Sequence, residues 1–142
     1  MAGKERKHSA KRDAILKVLR GTTVHPGAQW VYSQLKGAIP DLSLGTVYRN
    51  LKLFREEGLA AFLGTVNGEE RFDGVTESHP HLICRRCGAI EDITLANPEA
   101  FEKELAGVLA ASVVKNENRN VKEGGFDFRR TLFYGLCRDC GT

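Results

Sequence analysis

Apolar residues recur at three- and four-residue steps through three stretches of the first half of the chain, and then the period changes. In "HSAKRDAILKVLR", Ile15, Leu16, Val18 and Leu19 fall on one helical face behind a candidate N-cap, Ser9. "HPGAQWVYSQLKGAIP" predicts a second helix, opened by Pro26, with Trp30, Val31 and Leu35 turned inward and Gly37 and Pro40 closing it. In "DLSLGTVYRNLKLFREEG", Ser43 is the cap, Leu44, Val47, Leu51 and Phe54 form the buried stripe, and Gly58 is the stop. That stripe leaves Thr46, Tyr48, Arg49, Asn50 and Lys52 largely outward. "LAAFLGTVNGEERFD" then reads as a hairpin, with Asn67-Gly68 as the turn between strands at 61–66 and 70–72.

Three short helices followed by a hairpin is the winged-helix order. In such a domain the third helix enters the DNA major groove. Arg49 has the chemistry to grip guanine and Asn50 to grip adenine, while Tyr48 suits a thymine methyl or a phosphate. Charge favours that partner. Residues 1–58 hold 11 Lys/Arg against 5 Asp/Glu, a net of +6, whereas residues 59–142 hold 10 against 13, a net of −3. A basic half joined to a mildly acidic one points to a polyanion on the basic side. A merely solvated face, a small helical bundle with one polar helix face, or a winged helix that binds protein is the competing reading.

The 142 residues allow one compact domain or two small ones, and 42% hydrophobic with 27% charged residues is ordinary globular composition. No apolar run reaches the roughly eighteen residues of a membrane span. "MAGKERKHSAKRDAIL" lacks the apolar core of a secretory signal, so the expected location is the cytoplasm. Thiols stay reduced there, and two C-x-x-C pairs read as metal ligands or a redox motif before disulfides. Cys84 and Cys87 are separated from Cys137 and Cys140 by 49 residues. Four thiolates suit Zn²⁺ in a closed structural site. Each pair is followed by Gly, in "CRRCG" and "CRDCG", as in knuckle turns. The separation exceeds that of a compact zinc ribbon, so the site would tie together two ends of a separate domain. A thiol oxidoreductase would instead place one C-x-x-C at a helix N-terminus after a strand.

"DGVTESHPHLICRRCGAIEDI" gathers half of the 4 His and half of the 4 Cys. A strand there would put His79 and His81 on one face. With Asp73 and Asp92 they form an imidazole–carboxylate set suited to Fe²⁺, Mn²⁺ or Zn²⁺. His25, by position alone, reads as a helix-end residue; if recruited to this set, it would make the site bridge two domains. His8 reads as surface.

Together, "AKRDAIL", "VHPGAQWVY", "SLGTVYRNL", "GLA", "RFD", "HPHLICRRCG" and "YGLCRDC" resemble the ferric uptake regulator (Fur) family, from about residue 9 to residue 140. The resemblance implies an α+β chain: an N-terminal winged helix-turn-helix domain (1–74) and a small α/β dimerisation domain (75–142). It further implies a metal-dependent, homodimeric transcription repressor, not an enzyme, on an AT-rich inverted repeat of double-stranded DNA. By motif, Cys84, Cys87, Cys137 and Cys140 match the structural zinc site. His25, Asp73, His79, His81 and Asp92 match the regulatory site for Fe²⁺ or Mn²⁺. Arg12, with Thr46, Tyr48, Arg49 and Asn50, matches the DNA-contacting parts. Asp92 in "CGAIEDI" resembles the peroxide-responsive, PerR-type branch, where iron sensors usually carry glutamate. In that branch hydrogen peroxide reacts at bound Fe²⁺, a ligand His is oxidised and DNA is released. A one-residue shift would substitute Glu91 but point it to the other strand face. An iron- or zinc-responsive repressor of metal uptake is the alternative within the family. "NENRNVKEGGFDFRRTLFYG" contains no His, so a further metal site of many relatives is expected to be absent or altered, and 115–125 reads as an exposed loop. An additional N-terminal helix is expected to be missing.

Overall fold

The computed structural model describes residues 9–113 and 131–141. Three helices come first: α1 (Ala10–Arg20), α2 (Ala28–Leu35) and α3 (Leu44–Glu56). An antiparallel hairpin follows, β1 (Ala61–Val66) and β2 (Glu69–Asp73). Then come β3 (His81–Cys84), β4 (Ile90–Asp92), helix α4 (Pro98–Val113) and β5 (Leu132–Gly135). β4 runs antiparallel and β5 parallel to β3, giving a sheet ordered β4-β3-β5. The chain is therefore α+β, with a helical winged unit first and a small α/β unit after it. The expected loop at 115–125 and His8 lie outside the described residues.

The third helix forms as its pattern predicts. Ser43 Oγ accepts the Thr46 amide at 3.1 Å, Val47, Leu51 and Phe54 are buried, and Leu44 packs at the margin. Gly58, at φ 73, takes the left-handed conformation that ends the helix. The other two helices differ at their starts. Ser9 occupies the N-cap of α1, but its side chain makes no cap bond. Pro26 does not open α2. Gly27 is the cap, and the Pro26 carbonyl accepts the Phe72 amide at 3.0 Å, which ties this loop to β2 instead.

Asn67 and Gly68, at φ 53 and 79, make the two-residue turn with positive φ at both positions that matches strand twist. Between Phe62 and Gly64 the register slips, leaving Leu63 as a bulge residue. The hairpin thereby serves two cores. Ala60 and Phe72 pack with Ile15, Val31, Val47 and Phe54, while Ala61 and Leu63 pack with Ile83 and Ile90 of the second unit. α4, which the sequence pattern did not single out, has Pro98 in its first turn, and Asn97 Oδ1 accepts the Ala100 amide at 3.0 Å.

Gly74 leaves the hairpin against the end of α1. A Cβ there would stand 2.7 Å from the Leu19 carbonyl carbon and 2.8 Å from the Arg20 amide nitrogen. Backbone meets backbone, with no flexible side chain to give way. Gly74→Ala is expected to cost about 1–3 kcal/mol as an overpacking change. Urea unfolding of the zinc-loaded protein measures it, and an unchanged midpoint would show that α1 can shift freely.

Candidate metal centres

Five side chains from both units converge on one point. Asp73 closes β2, His81 opens β3, and Asp92 closes β4 opposite His81 in the antiparallel register. His25 comes from the loop before α2. His79 precedes Pro80, outside any strand, so the expected strand covering both histidines starts only at His81. The ladder begins there because Pro80 has no N–H to donate, whereas the His81 amide reaches the Thr131 carbonyl at 3.0 Å. His25, which by position looked like a helix-end residue, has φ 51 and is buried in the cluster. Glu91 is exposed and pairs with Leu82, one strand position away from the Asp92–His81 pair.

All three rings present Nε2 to the same two carboxylates. Asp73 Oδ2 lies 2.9 Å from His81, 3.0 Å from His79 and 3.5 Å from His25. Asp92 Oδ1 lies 2.8 Å from His25, 3.0 Å from His79 and 3.2 Å from His81. The opposite nitrogens orient two of the rings: His25 Nδ1–H donates to the Ile90 carbonyl at 3.1 Å, and His79 Nδ1–H to the Glu77 carbonyl at 2.7 Å. That arrangement is how metal-ligating imidazoles are held. Separations near 3 Å suit neighbouring donors around one divalent ion with bonds of about 2.0–2.2 Å. Two carboxylates and three imidazoles therefore fit a borderline first-row cation. Asp73, His25 and His81 are buried, whereas Asp92 is 44% and His79 20% exposed, so the site opens on one side only.

Charge at this cluster is unevenly held. Burial works to raise the Asp73 carboxyl, but hydrogen bonds from His25, His81 and the Val75 amide keep it well below the usual carboxylate range. Burial likewise works to lower His25, and the hydrogen bonds and negative charges of Asp73 and Asp92 outweigh it, so its imidazolium persists above the ordinary 6.5. A cation has to displace that Nε2 proton.

The second cluster lies at the other end of β3. Cys84 is the last residue of that strand, beside Gly135 in the parallel register, which brings in Cys137 and Cys140 just beyond β5. Cys87 and Cys137 sulfurs are 3.7 Å apart, and all four lie within 4.8 Å of one another. Amides of Cys87 and Cys137 lower the Cys84 thiol to about 6, while the Cys137 side chain above all pushes Cys140 up to about 12. Four sulfurs cannot all carry charge this close together without a cation, which is the donor set's fit to zinc. The two knuckles close alike, the Gly88 amide donating to the Cys84 carbonyl at 3.0 Å and the Gly141 amide to the Cys137 carbonyl at 2.8 Å, but only Gly88, at φ 76, takes the left-handed conformation. Cys84 runs into a turn, not a helix, so the arrangement of a thiol redox motif is not met.

On α3, Tyr48 is 46% exposed and Arg49 is exposed, with Arg49 Nη2 on Thr46 Oγ1 at 3.0 Å. Asn50 is half-buried, its amide donating to the Thr46 carbonyl at 2.8 Å. Arg12 is paired with Glu57 and stacked 4.8 Å from the Phe54 ring centroid. Arg71 opens the "RFD" motif, and its two-residue spacing from Asp73 places both on one face of β2, but no role followed for it from sequence. Its guanidinium donates to the Val24, His25 and Gly88 carbonyls.

Two outcomes are expected. Mn²⁺ affinity rises as pH is taken from about 6 to about 8, because protons on His25 compete at the lower end; a flat titration would mean that no proton is displaced there. Cys84→Ser removes the thiol best placed to carry charge, so zinc content and thermal stability fall together, and a variant that keeps one zinc per chain would contradict this.

Residues 4–120 match the ferric uptake regulator family. The peroxide operon regulator of Bacillus subtilis (strain 168) is 35% identical over 130 residues, 92% of this chain and 81% of that protein. The peroxide-responsive repressor PerR of Staphylococcus saprophyticus is 33% identical, over 92% of this chain and 79% of its own length. The solved structure of the Campylobacter jejuni peroxide stress regulator superposes with a TM-score of 0.68 at 28% identity, covering 92% of this chain and 88% of that one. With three helices and a wing, a four-cysteine cluster and a His/Asp cluster in one order, the chain belongs to the ferric uptake regulator family of DNA-binding, homodimeric transcription regulators.

Proposed function

We propose that this chain is a peroxide-responsive, metal-dependent repressor of the PerR type. The observation that carries it is the pairing of Asp92 with His81 across β3 and β4, with Glu91 facing away, at the exposed side of the cluster. The regulatory ligands are His25, Asp73, His79, His81 and Asp92, for Fe²⁺ or Mn²⁺; Cys84, Cys87, Cys137 and Cys140 hold structural Zn²⁺. An Fe²⁺ ion held by these five residues would supply the electrons for hydrogen peroxide to oxidise an adjacent imidazole. The chain supplies the route and the consequence. A cavity of about 310 Å³ lined by Val75, Glu77, Ser78, His79 and Asp92 gives a small solute access from the open side. His25 joins this cluster from the helical unit, so losing its hold frees that unit to turn.

Residues 1–74 are read as the DNA-binding domain and 75–142 as the dimerisation domain. The exposed Phe133, Tyr134 and Leu136 on and after β5 give the latter an apolar edge for a second copy. In the dimer, His25 and Asp73 held with His79, His81 and Asp92 on one ion would favour the orientation that sets two α3 helices about one DNA turn apart on an AT-rich inverted repeat. Tyr48, Arg49 and Asn50 address bases, Thr46 and Arg12 the backbone around them. Arg12 exchanges Glu57 for phosphate when it does so. Among the described residues no helix is long and apolar enough to cross a membrane.

Fluorescence anisotropy of a labelled AT-rich inverted repeat tests this. Anaerobic Fe²⁺-loaded protein is expected to release the DNA after a small peroxide pulse, with affinity falling about 5–150-fold, while Mn²⁺-loaded protein holds on. If both forms hold on, the chain reports metal supply instead of peroxide.

A further inference from the structure

We propose that Arg71 is a positioning residue that fixes His25 in the regulatory site and anchors that placement to the zinc knuckle. The inference rests on the regulatory reading of the His/Asp cluster. Arg71 lies on β2 opposite Gly64, next to the bulge, and its planar fork reaches three backbone carbonyls. Nε donates to His25 O, Nη2 to Val24 O at 2.8 Å, and Nη1 to Gly88 O at 3.3 Å.

The first two carbonyls belong to the peptide planes on either side of the His25 Cα. Holding both planes fixes φ and ψ of that one residue. His25 needs this, because its φ of 51 lies in the left-handed region that non-glycine residues seldom occupy. Without the clamp the loop would relax toward ordinary φ and carry the imidazole away from Asp73 and Asp92. The third carbonyl gives the clamp a fixed footing. Gly88 follows Cys87, and its amide returns to the Cys84 carbonyl at 3.0 Å. A Cβ on Gly88 would stand 2.5 Å from Asn67 Nδ2 and 3.1 Å from Val66 Cγ1, so the knuckle sits directly on the hairpin tip. A lysine cannot replace this fork, because its three donors radiate from one point.

Mn²⁺ titration of zinc-loaded wild type, Arg71→Gln and Arg71→Lys, each repeated in a His25→Ala background, tests the proposal, with zinc content and melting temperature measured on every variant. R71Q is expected to keep its zinc and lose about 10–100-fold in Mn²⁺ affinity, the scale of a lost outer-shell partner. R71K, which retains charge and the better chance of folding, is expected to lose about tenfold on the same scale. In the His25→Ala background neither substitution should weaken Mn²⁺ binding further. Wild-type affinity in both variants, or an equal loss with and without His25, overturns the role given to Arg71. Failure of the wild type itself to take up Mn²⁺ at this cluster overturns the regulatory reading and this inference with it.

Discussion

A buried carboxylate between two hydrophobic clusters constrains this molecule more than any other group. Asp73 is 4% exposed, at the end of the hairpin whose two faces pack into separate cores. An isolated carboxylate so placed would be strongly disfavoured unless its charge were met. The chain meets it from both sides: His25 arrives from the helical unit, His81 from the first position of β3 and His79 from the segment just before it. Any positive partner that satisfies Asp73 therefore draws the two units together. The polar demand of one side chain becomes the restraint on their relative orientation.

β3 converts this into a layout. The strand is four residues long, with His81 at its first position and Cys84 at its last. One end belongs to a mixed nitrogen–oxygen donor set and the other to four softer sulfurs, so cations sort between the ends by softness. Pairing on both edges, to β4 and β5, makes the strand a stiff spacer between a site suited to exchange and one suited to permanence. The exposed sides of Asp92 and His79 admit exchange at the first; the second closes the chain on itself.

What was legible in the sequence is what local chemistry decides. Ser43, the Val47–Leu51–Phe54 stripe, Gly58 and the Asn67-Gly68 turn each carry their own stereochemical instruction, and the structure follows them. Strand parity distinguishes Asp92, opposite His81, from Glu91, opposite Leu82, because a one-residue shift reverses the face. What was not legible depends on partners distant in the chain. Pro26 has the chemistry of a helix opener, yet its carbonyl is taken by Phe72. His79 looked like a strand residue, but Pro80 cannot join the ladder on its N–H side. His25 has no local reason for a left-handed backbone; the reason lies on β2. α4 has a fair helix start in Asn97-Pro98, but its apolar positions form no narrow stripe that sets it apart in the sequence.

Parallel pairing of β3 with β5 obliges the chain to leave the sheet and come back before the second strand can form. The thiolates pin both ends of that excursion, so an ion held by them closes a ring with 49 residues between the pairs. The entropy of closing such a ring depends only logarithmically on its length, about 0.6 kcal/mol for each doubling. Residues can be added to or taken from the returning segment with little effect on closure, while loss of a cysteine removes one of the ligands that close the ring. The fold thus separates a stretch free to drift in length from four positions that cannot drift at all.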